Sequence, residues 1–260
     1  MSKPTVFITG AAAGIGRATA LRFAKEGYLV GLYDVDEPGL RKVRDEITTA
    51  GGSAYAGLMN VADPKNWQSA LDDFWTAHQR LDILINNAGV LTAGPFEEMD
   101  PSVHLRMIDI NFAGVVYGTR AAFPYLRDTE GAQVVNLCSA SAIYGQPELA
   151  TYGATKAAVK SITEALDLEW RKHNIRVIAM WPLFVQTAMV DGVETGSTKS
   201  LGIRLTAEDV GNEIWSVTRN RSWLPGVHYA VGIQAKALAI AAKYSPDFVV
   251  RTINRVLTRS

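Results

Sequence analysis

The chain has a single cysteine, Cys138, so no intrachain disulfide can brace it. That fits a reducing compartment. Its four histidines (His78, His104, His173, His228) are scattered, with no C-x-x-C or H-E-x-x-H spacing. Such a distribution predicts no metal site. It lacks any apolar run of about 18 residues, so nothing reads as a membrane span. It also lacks an excess of either charge: 26 basic and 26 acidic residues cancel. That balance argues against nucleic acid as a partner. Met1-Ser2-Lys3-Pro4 leads straight into a strand-like stretch and does not read as a signal peptide. The expected location is cytoplasmic.

What is present is ordinary globular composition, 48% hydrophobic and 20% charged over 260 residues. A chain of this length can bury well over half of its unfolded surface and needs no staple. Short apolar runs alternate with helical patterns. Thr5 to Thr9, Tyr28 to Tyr33, Ser53 to Met59, Leu81 to Ile85, Ala132 to Leu137 and Ile175 to Met180 read as strands. Helices are expected from Ile15 to Glu26, Pro38 to Ala50, Lys65 to His78, Pro101 to Leu126 and Thr151 to Lys172. This alternation predicts right-handed crossovers and a doubly wound parallel α/β sheet with helices on both faces. No repeat, linker or composition break appears, so residues 1–260 read as one domain. The segment 183–205 has little periodicity, and a loop that long after a sheet strand reads as a lid.

Gly10, Gly14 and Gly16 punctuate the turn Thr9 to Gly16, between the first strand and first helix. Gly10 permits a tight turn, while Gly14 and Gly16 let a pyrophosphate and the sheet come close to the backbone. The helix N-terminus offers N–H groups and a positive dipole end to an anion. Asp34 stands 20 residues after Gly14 at the end of the second strand. Its carboxylate can accept from both ribose hydroxyls and would repel a 2′-phosphate, which favours NAD over NADP. Arg17 is the counter-argument, because a guanidinium near the turn could bind that phosphate.

Tyr152 and Lys156 are four apart and share a helix face. A phenol titrates near ~10, too high for proton exchange at neutral pH, and a neighbouring ammonium lowers that value. The pair is a candidate general acid/base for an alcohol or carbonyl, although the spacing alone fits an idle exposed i,i+4 pair better. Ser139 lies 13 residues before Tyr152 at a strand end, and its hydroxyl could hold a substrate oxygen. Ser141 competes with it.

In combination and order, these motifs resemble the short-chain dehydrogenase/reductase family: Thr9 to Gly16, Asn86-Asn87-Ala88-Gly89, Asn111, Ser139, Tyr152 and Lys156. The resemblance covers Pro4 to Thr187 strongly. It implies a Rossmann-type sheet of about seven parallel strands and hydride transfer between a nicotinamide cofactor and an alcohol or ketone. It implies Tyr152 as acid/base, Lys156 as holder of the nicotinamide ribose, Ser139 as orienter of the substrate oxygen, and Asn111 as anchor of a proton-relay water. Cofactor contacts are implied for Gly10, Gly14, Ile15, Gly16, Asp34, Asn60, Val61, Asn87, Ala88, Gly89, Tyr152, Lys156, Pro182, Val185 and Thr187. Two departures stand out: Asn60 replaces the family's usual Asp, and Leu183 follows Pro182 where Gly is usual. Leucine does not take positive φ cheaply, so a different backbone is expected there.

Substrate contacts are expected from Ser139, Ser141, Tyr144, Tyr152, Leu183, Phe184 and Met189, with Val193 nearby and Lys199 flanking the lid. Their apolar character predicts a hydrophobic secondary alcohol or ketone. From Lys236 to Ser260, five basic residues and one acid give a charge of +4, with Arg251, Arg255 and Arg259 as an i,i+4 stripe. Phe248, Val249, Ile253, Val256 and Leu257 are expected largely on other faces. This basic amphipathic extension, 232–260, reads as cover for a subunit interface or the substrate entrance in preference to a membrane contact. A homodimer or homotetramer through the two long helices is expected by family analogy. Two other functional classes stay open: a catalytically idle NAD-binding sensor or interaction protein, and a peripheral membrane or scaffold protein working through the C-terminal helix.

Overall fold

The computed structural model describes residues 3–190, 195–220 and 226–258. Val193 and Arg259, named above, lie outside the described residues, as do the side chains of Lys199, Ile253 and Leu257. The chain opens with β1 (Thr5–Thr9), α1 (Gly14–Lys25), β2 (Leu29–Asp34), α2 (Glu37–Thr49), β3 (Ser53–Leu58), α3 (Pro64–His78) and β4 (Ile83–Asn86). It continues through α4 (Pro101–Ile108), α5 (Gly114–Arg127), β5 (Gln133–Leu137), α6 (Ala150–Trp170) and β6 (Arg176–Pro182). After these come β7 (Val185–Gln186), α7 (Gly196–Leu201), β8 (Leu205–Thr206), α8 (Ala207–Arg219), β9 (His228–Val231), α9 (Ile233–Tyr244) and α10 (Asp247–Thr258).

Seven strands form one parallel sheet in the order β3-β2-β1-β4-β5-β6-β9, and β7 pairs with β8 in a small parallel ribbon. Alternation along β1 explains why both faces need covering. Val6 and Ile8 enter the layer built by Phe23 of α1, Leu40 and Val43 of α2, and Ile214 of α8. Phe7, between them, enters the opposite layer with Trp67 and Phe74 of α3 and Leu126 of α5. Phe7 stacks on Tyr33 with ring centres 3.9 Å apart. Each such large side chain, fully buried, contributes about 1.5–3 kcal/mol.

Aspartates start three of the helices. Asp36, Asp63 and Asp100 accept from Gly39 N, Lys65 N and Ser102 N at the heads of α2, α3 and α4, each with proline in the first turn. The head of α1 differs: Ala13 precedes it and no side chain caps it. Its first N–H groups are therefore left for something else to satisfy.

The winding reverses between β1, whose chain leads on to β2, and β4, which sits on β1's other side. The carboxyl ends of those two strands open a crevice, as at any such switch point. Six of the seven sheet strands occur where the sequence predicts strands, within a residue or two at most ends. Two expectations need correction. The segment 183–205 is not an uninterrupted loop, because it carries β7, α7 and the start of β8. Residues 101–126 are not one uninterrupted helix, because α4 and α5 are separated by a π-helical turn, Asp109–Ala113. Among the described residues no helix is long and apolar enough to cross a membrane.

Candidate active site

The crevice continues into a cavity of about 370 Å³ running from the glycine turn to the start of α6. Of the residues singled out in the sequence, Gly10, Gly14, Ile15, Asp34, Asn60, Val61, Asn87, Ala88 and Gly89 line one part. Ser139, Ser141, Tyr152, Lys156, Pro182, Leu183, Phe184, Val185, Thr187 and Met189 line the rest. Gly16, Asn111 and Tyr144 do not reach the wall. Gly16 instead permits close packing, since a Cβ there would lie 2.0 Å from the Gly10 carbonyl oxygen. Tyr144 is half-buried, with its hydroxyl withdrawn from solvent beside Gln146.

At the turn, Gly10 and Gly14 take φ of +65° and +52°. A Cβ on Gly14 would come within 3.2 Å of Thr187 Cγ2, so the turn and the segment after β6 meet across the crevice. Asn87 holds the floor, donating from Nδ2 to Thr9 O at 2.8 Å and to Gly10 O at 3.0 Å. Asp34 accepts from Ala12 N at 3.1 Å through Oδ2 and from Val35 N at 2.7 Å through Oδ1. These bonds set the carboxylate at the rim of the crevice. Arg17 is engaged elsewhere, with its guanidinium on Glu46 at 2.6 Å. Asn60 Oδ1 accepts from Ala62 N at 3.0 Å, closing a local turn beside Val61.

At the other end, β5 and α6 are knitted together around Lys156. Its ammonium donates to Leu137 O at 2.8 Å, and the Cys138 thiol donates back to Lys156 O at 3.0 Å. The Lys156 Nζ lies 5.7 Å from the centre of the Tyr152 ring. Ser139 Oγ donates to Ser141 Oγ at 3.2 Å, and Ser141 Oγ donates to Gln146 Oε1 at 3.3 Å. Asn111 sits in the π turn, fully buried. Its Oδ1 accepts from Val90 N at 2.8 Å, and its Nδ2 donates to Val90 O at 2.8 Å and Thr155 Oγ1 at 3.3 Å. Thr155 in turn donates to Tyr152 O at 2.7 Å. A π turn at this point re-aims one residue and often accompanies a functional site.

Burial governs the titration of this corner. It pushes the Tyr152 phenol up to about 12, with the neighbouring Ser139 hydroxyl opposing the rise. It lowers the Lys156 ammonium. Both shifts disfavour charge, as expected for groups withdrawn from water. Desolvation therefore sets the direction of the Tyr152 shift, with the Ser139 hydroxyl acting against it.

Leu183 explains its own departure from the expected glycine. It is not among the residues with positive φ, and its buried side chain packs with Phe184, Ala140 and Leu149. Sequence reasoning missed Ala13, Val35, Met59, Arg106, Ile110, Leu137, Cys138, Ala188 and Val190, all of which line the cavity. Val35 and Met59 follow directly on β2 and β3, so the strand ends themselves were the available signal.

The residues fit a dinucleotide. The uncapped head of α1 presents its N–H groups beside a turn that a Cβ at Gly14 would crowd. A parallel sheet with a glycine turn at its switch point defines a Rossmann-type nucleotide fold. The chain belongs to the short-chain dehydrogenase family, whose model matches residues 4–197. It is 33% identical over 188 residues to the cyclopentanol dehydrogenase of Comamonas sp. (strain NCIMB 9872), covering 72% of this chain and 75% of that protein. It is 32% identical over 184 residues to the cyclohexanol dehydrogenase of Acinetobacter sp. (strain SE19), covering 70% and 73%. It also resembles the crystal structure of 3-ketoacyl-(acyl-carrier-protein) reductase from Brucella melitensis complexed with NADH. The TM-score is 0.80 at 29% identity, covering 88% of this chain and 97% of that one. The protein is thus an oxidoreductase of this family, and a nicotinamide cofactor goes with that assignment.

Proposed function

We propose that the enzyme interconverts a hydrophobic secondary alcohol and its ketone with NAD(H) as the preferred cofactor. The observation that carries this reading is the convergence of Ser139, Tyr152 and Lys156 at one end of a cavity whose other end holds the glycine turn and Asp34. When bound, the nicotinamide ring exchanges hydride with the substrate carbon. The chain's own groups handle the oxygen and its proton. Ser139 Oγ donates a hydrogen bond to the substrate oxygen. Tyr152 Oη gives that oxygen a proton during reduction and takes one during oxidation. Lys156, anchored to Leu137 O, holds the nicotinamide ribose and favours the phenolate electrostatically. Asn111 ties the loop after β4 to α6 and so steadies the wall behind them.

The preference for NAD rests on Asp34, whose carboxylate at the rim of the crevice would repel a 2′-phosphate, and on Arg17, which is committed to Glu46. An apolar substrate follows from the wall itself, where Leu91, Leu183, Phe184 and Met189 gather around the polar corner. Names of the relatives point the same way, since two of them act on cyclic alcohols. Residues 1–260 work as one catalytic unit, with 183–205 as the lid. The enzyme pairs with itself through α4 and α6, around the apolar groove between Phe96, Leu105, Ile108 and Ala154.

A screen of apolar cyclic and acyclic alcohols and ketones, followed by absorbance of the reduced cofactor, tests this reading. Turnover with NAD(H) that is lost in Tyr152→Phe is expected. Full turnover in that variant, or none with any member of the panel despite tight cofactor binding, would overturn it.

A further inference from the structure

The outward faces of α9 and α10 are unused by the site. In α9, Ile233, Lys236, Ile240, Lys243 and Tyr244 are all exposed and recur at helical spacing as one stripe. In α10, Phe248, Arg251, Arg255 and Val256 make a second exposed stripe. Phe248 and Val256 thus lie beside the arginines, not on other faces. Of the twelve large hydrophobic side chains exposed among the described residues, five belong to these two stripes. Their exposure runs from 62% at Ile240 to 88% at Ile233. Such a concentration marks an interaction surface rather than ordinary scatter.

Positive charge dominates these two helices. Between residues 233 and 258 the only acidic residue is Asp247, against Lys236, Lys243, Arg251 and Arg255. The inward faces are committed to the body. Ala235 is fully buried, and with Leu238 it packs against the cluster of Ala140, Leu149, Leu183 and Phe184. Asn254 Nδ2 donates to Gly145 O at 2.5 Å, and α10 lies so close on α7 that a Cβ on Gly196 would strike the Thr258 carbonyl. The two helices are held from one side and present the other.

We propose that this face docks the enzyme on an anionic lipid bilayer. Ile233, Ile240, Tyr244, Phe248 and Val256 would enter the boundary between headgroups and acyl chains. The lysine and arginine stems would lie among them with their charges on lipid phosphates. Tyrosine suits that depth because its ring is apolar and its hydroxyl polar. A second copy is the poorer occupant, because a two-fold pairing of the face with itself sets cations against cations. The inward side of α9 packs on Leu183 and Phe184 of the cavity wall, so docking brings that end of the cavity towards the membrane. The docking does not depend on which reaction is catalysed.

Co-sedimentation of the full chain with vesicles tests the proposal. Vesicles of phosphatidylcholine alone are compared with vesicles rich in phosphatidylglycerol, at low and high salt. Recovery with the anionic vesicles is expected, falling with salt and on neutral vesicles. Lys243→Gln with Arg251→Gln should weaken partitioning about fivefold per cation. Ile240→Ser with Phe248→Ser should weaken it as well. All four positions are exposed, so melting temperature and dinucleotide affinity serve as controls for folding. Absence of binding to anionic vesicles, or binding by both double variants as strong as that of the wild type, would overturn the proposal. So would a drop in oligomer mass on Ile240→Ser with Phe248→Ser, which would assign the face to a second copy.

Discussion

The Lys156 ammonium stands 5.7 Å from the centre of the Tyr152 ring, on the same buried face of α6. At that distance a cation favours the phenolate, while burial pushes the phenol up to about 12. The protonated phenol therefore dominates at neutral pH, and it is the form that serves ketone reduction. Alcohol oxidation needs the phenolate, so its kcat/KM should climb about tenfold per pH unit through neutrality and flatten only in the alkaline range. Lys156→Met removes the positive charge beside the ring and leaves the Ser139 hydroxyl to oppose desolvation alone. It should depress oxidation at pH 8 by at least about tenfold and move the plateau to higher pH. Steady-state rates between pH 6 and pH 10 check this; superimposable profiles for the two proteins would refute it.

Tyr152→Phe deletes the proton carrier and leaves the packed ring. Turnover should fall by about 10²–10⁴ while dinucleotide affinity, read by protein fluorescence, changes by less than about threefold. A comparable loss of affinity would mean that the hydroxyl supports binding rather than proton transfer.

Asp34→Asn keeps an acceptor for the neighbouring backbone N–H groups and discards the charge. NADP affinity should rise and NAD affinity should fall, each by roughly tenfold, since a charged hydrogen bond contributes about 1.5–3 kcal/mol. Titration with both cofactors gives the ratio. An unchanged ratio would place cofactor discrimination elsewhere on the rim.

Much of this architecture was legible because the chemistry demands local sequence signals. The turn at Gly10 and Gly14 needs positive φ, so glycine marks it. The buried parallel strands are continuous apolar runs, so β1, β4 and β5 stand out. The π turn was not legible, because Asp109–Ala113 has no composition that separates i→i+5 from i→i+4 bonding. Helix α8 was overlooked although its signal was present: Thr206 and Asp209 form a capping box at its head. Strand β9 is four residues long and half-buried, and its place beside β6 is decided by packing across the chain. Burial of the catalytic corner was also hidden. Residue types reveal that a phenol and an ammonium are near each other, but not that both have lost their water.

Gly10 carries a backbone constraint and a steric one together. Its φ is +65°, and a Cβ would lie 2.8 Å from Asn87 Nδ2 and 2.9 Å from the Ala88 Cα. Gly10→Ala must therefore strain the turn by about 1–2 kcal/mol and push the loop after β4 away from it. Dinucleotide affinity should drop by more than tenfold, with a loss of a few degrees in melting temperature. Wild-type affinity in this variant would show that the turn tolerates a side chain and is not the cradle.

Cys138 supplies a test that needs no ligand. Burial raises its thiol from the ordinary 9.0 to about 11, and only the unfolded chain ionises easily in between. Between those values the folded state binds more protons, so this contribution is complete below pH 9 and lost as pH rises to 11. Tyr152 acts in the same direction from 10.0 to about 12. Cys138→Ala should therefore flatten the alkaline decline, removing about 2–3 kcal/mol of the stability lost between pH 9 and pH 11. Urea unfolding at pH 8, 9, 10 and 11 measures the slope for each protein. Parallel declines would mean that the thiol is already ionised, or already hydrated, in the folded state.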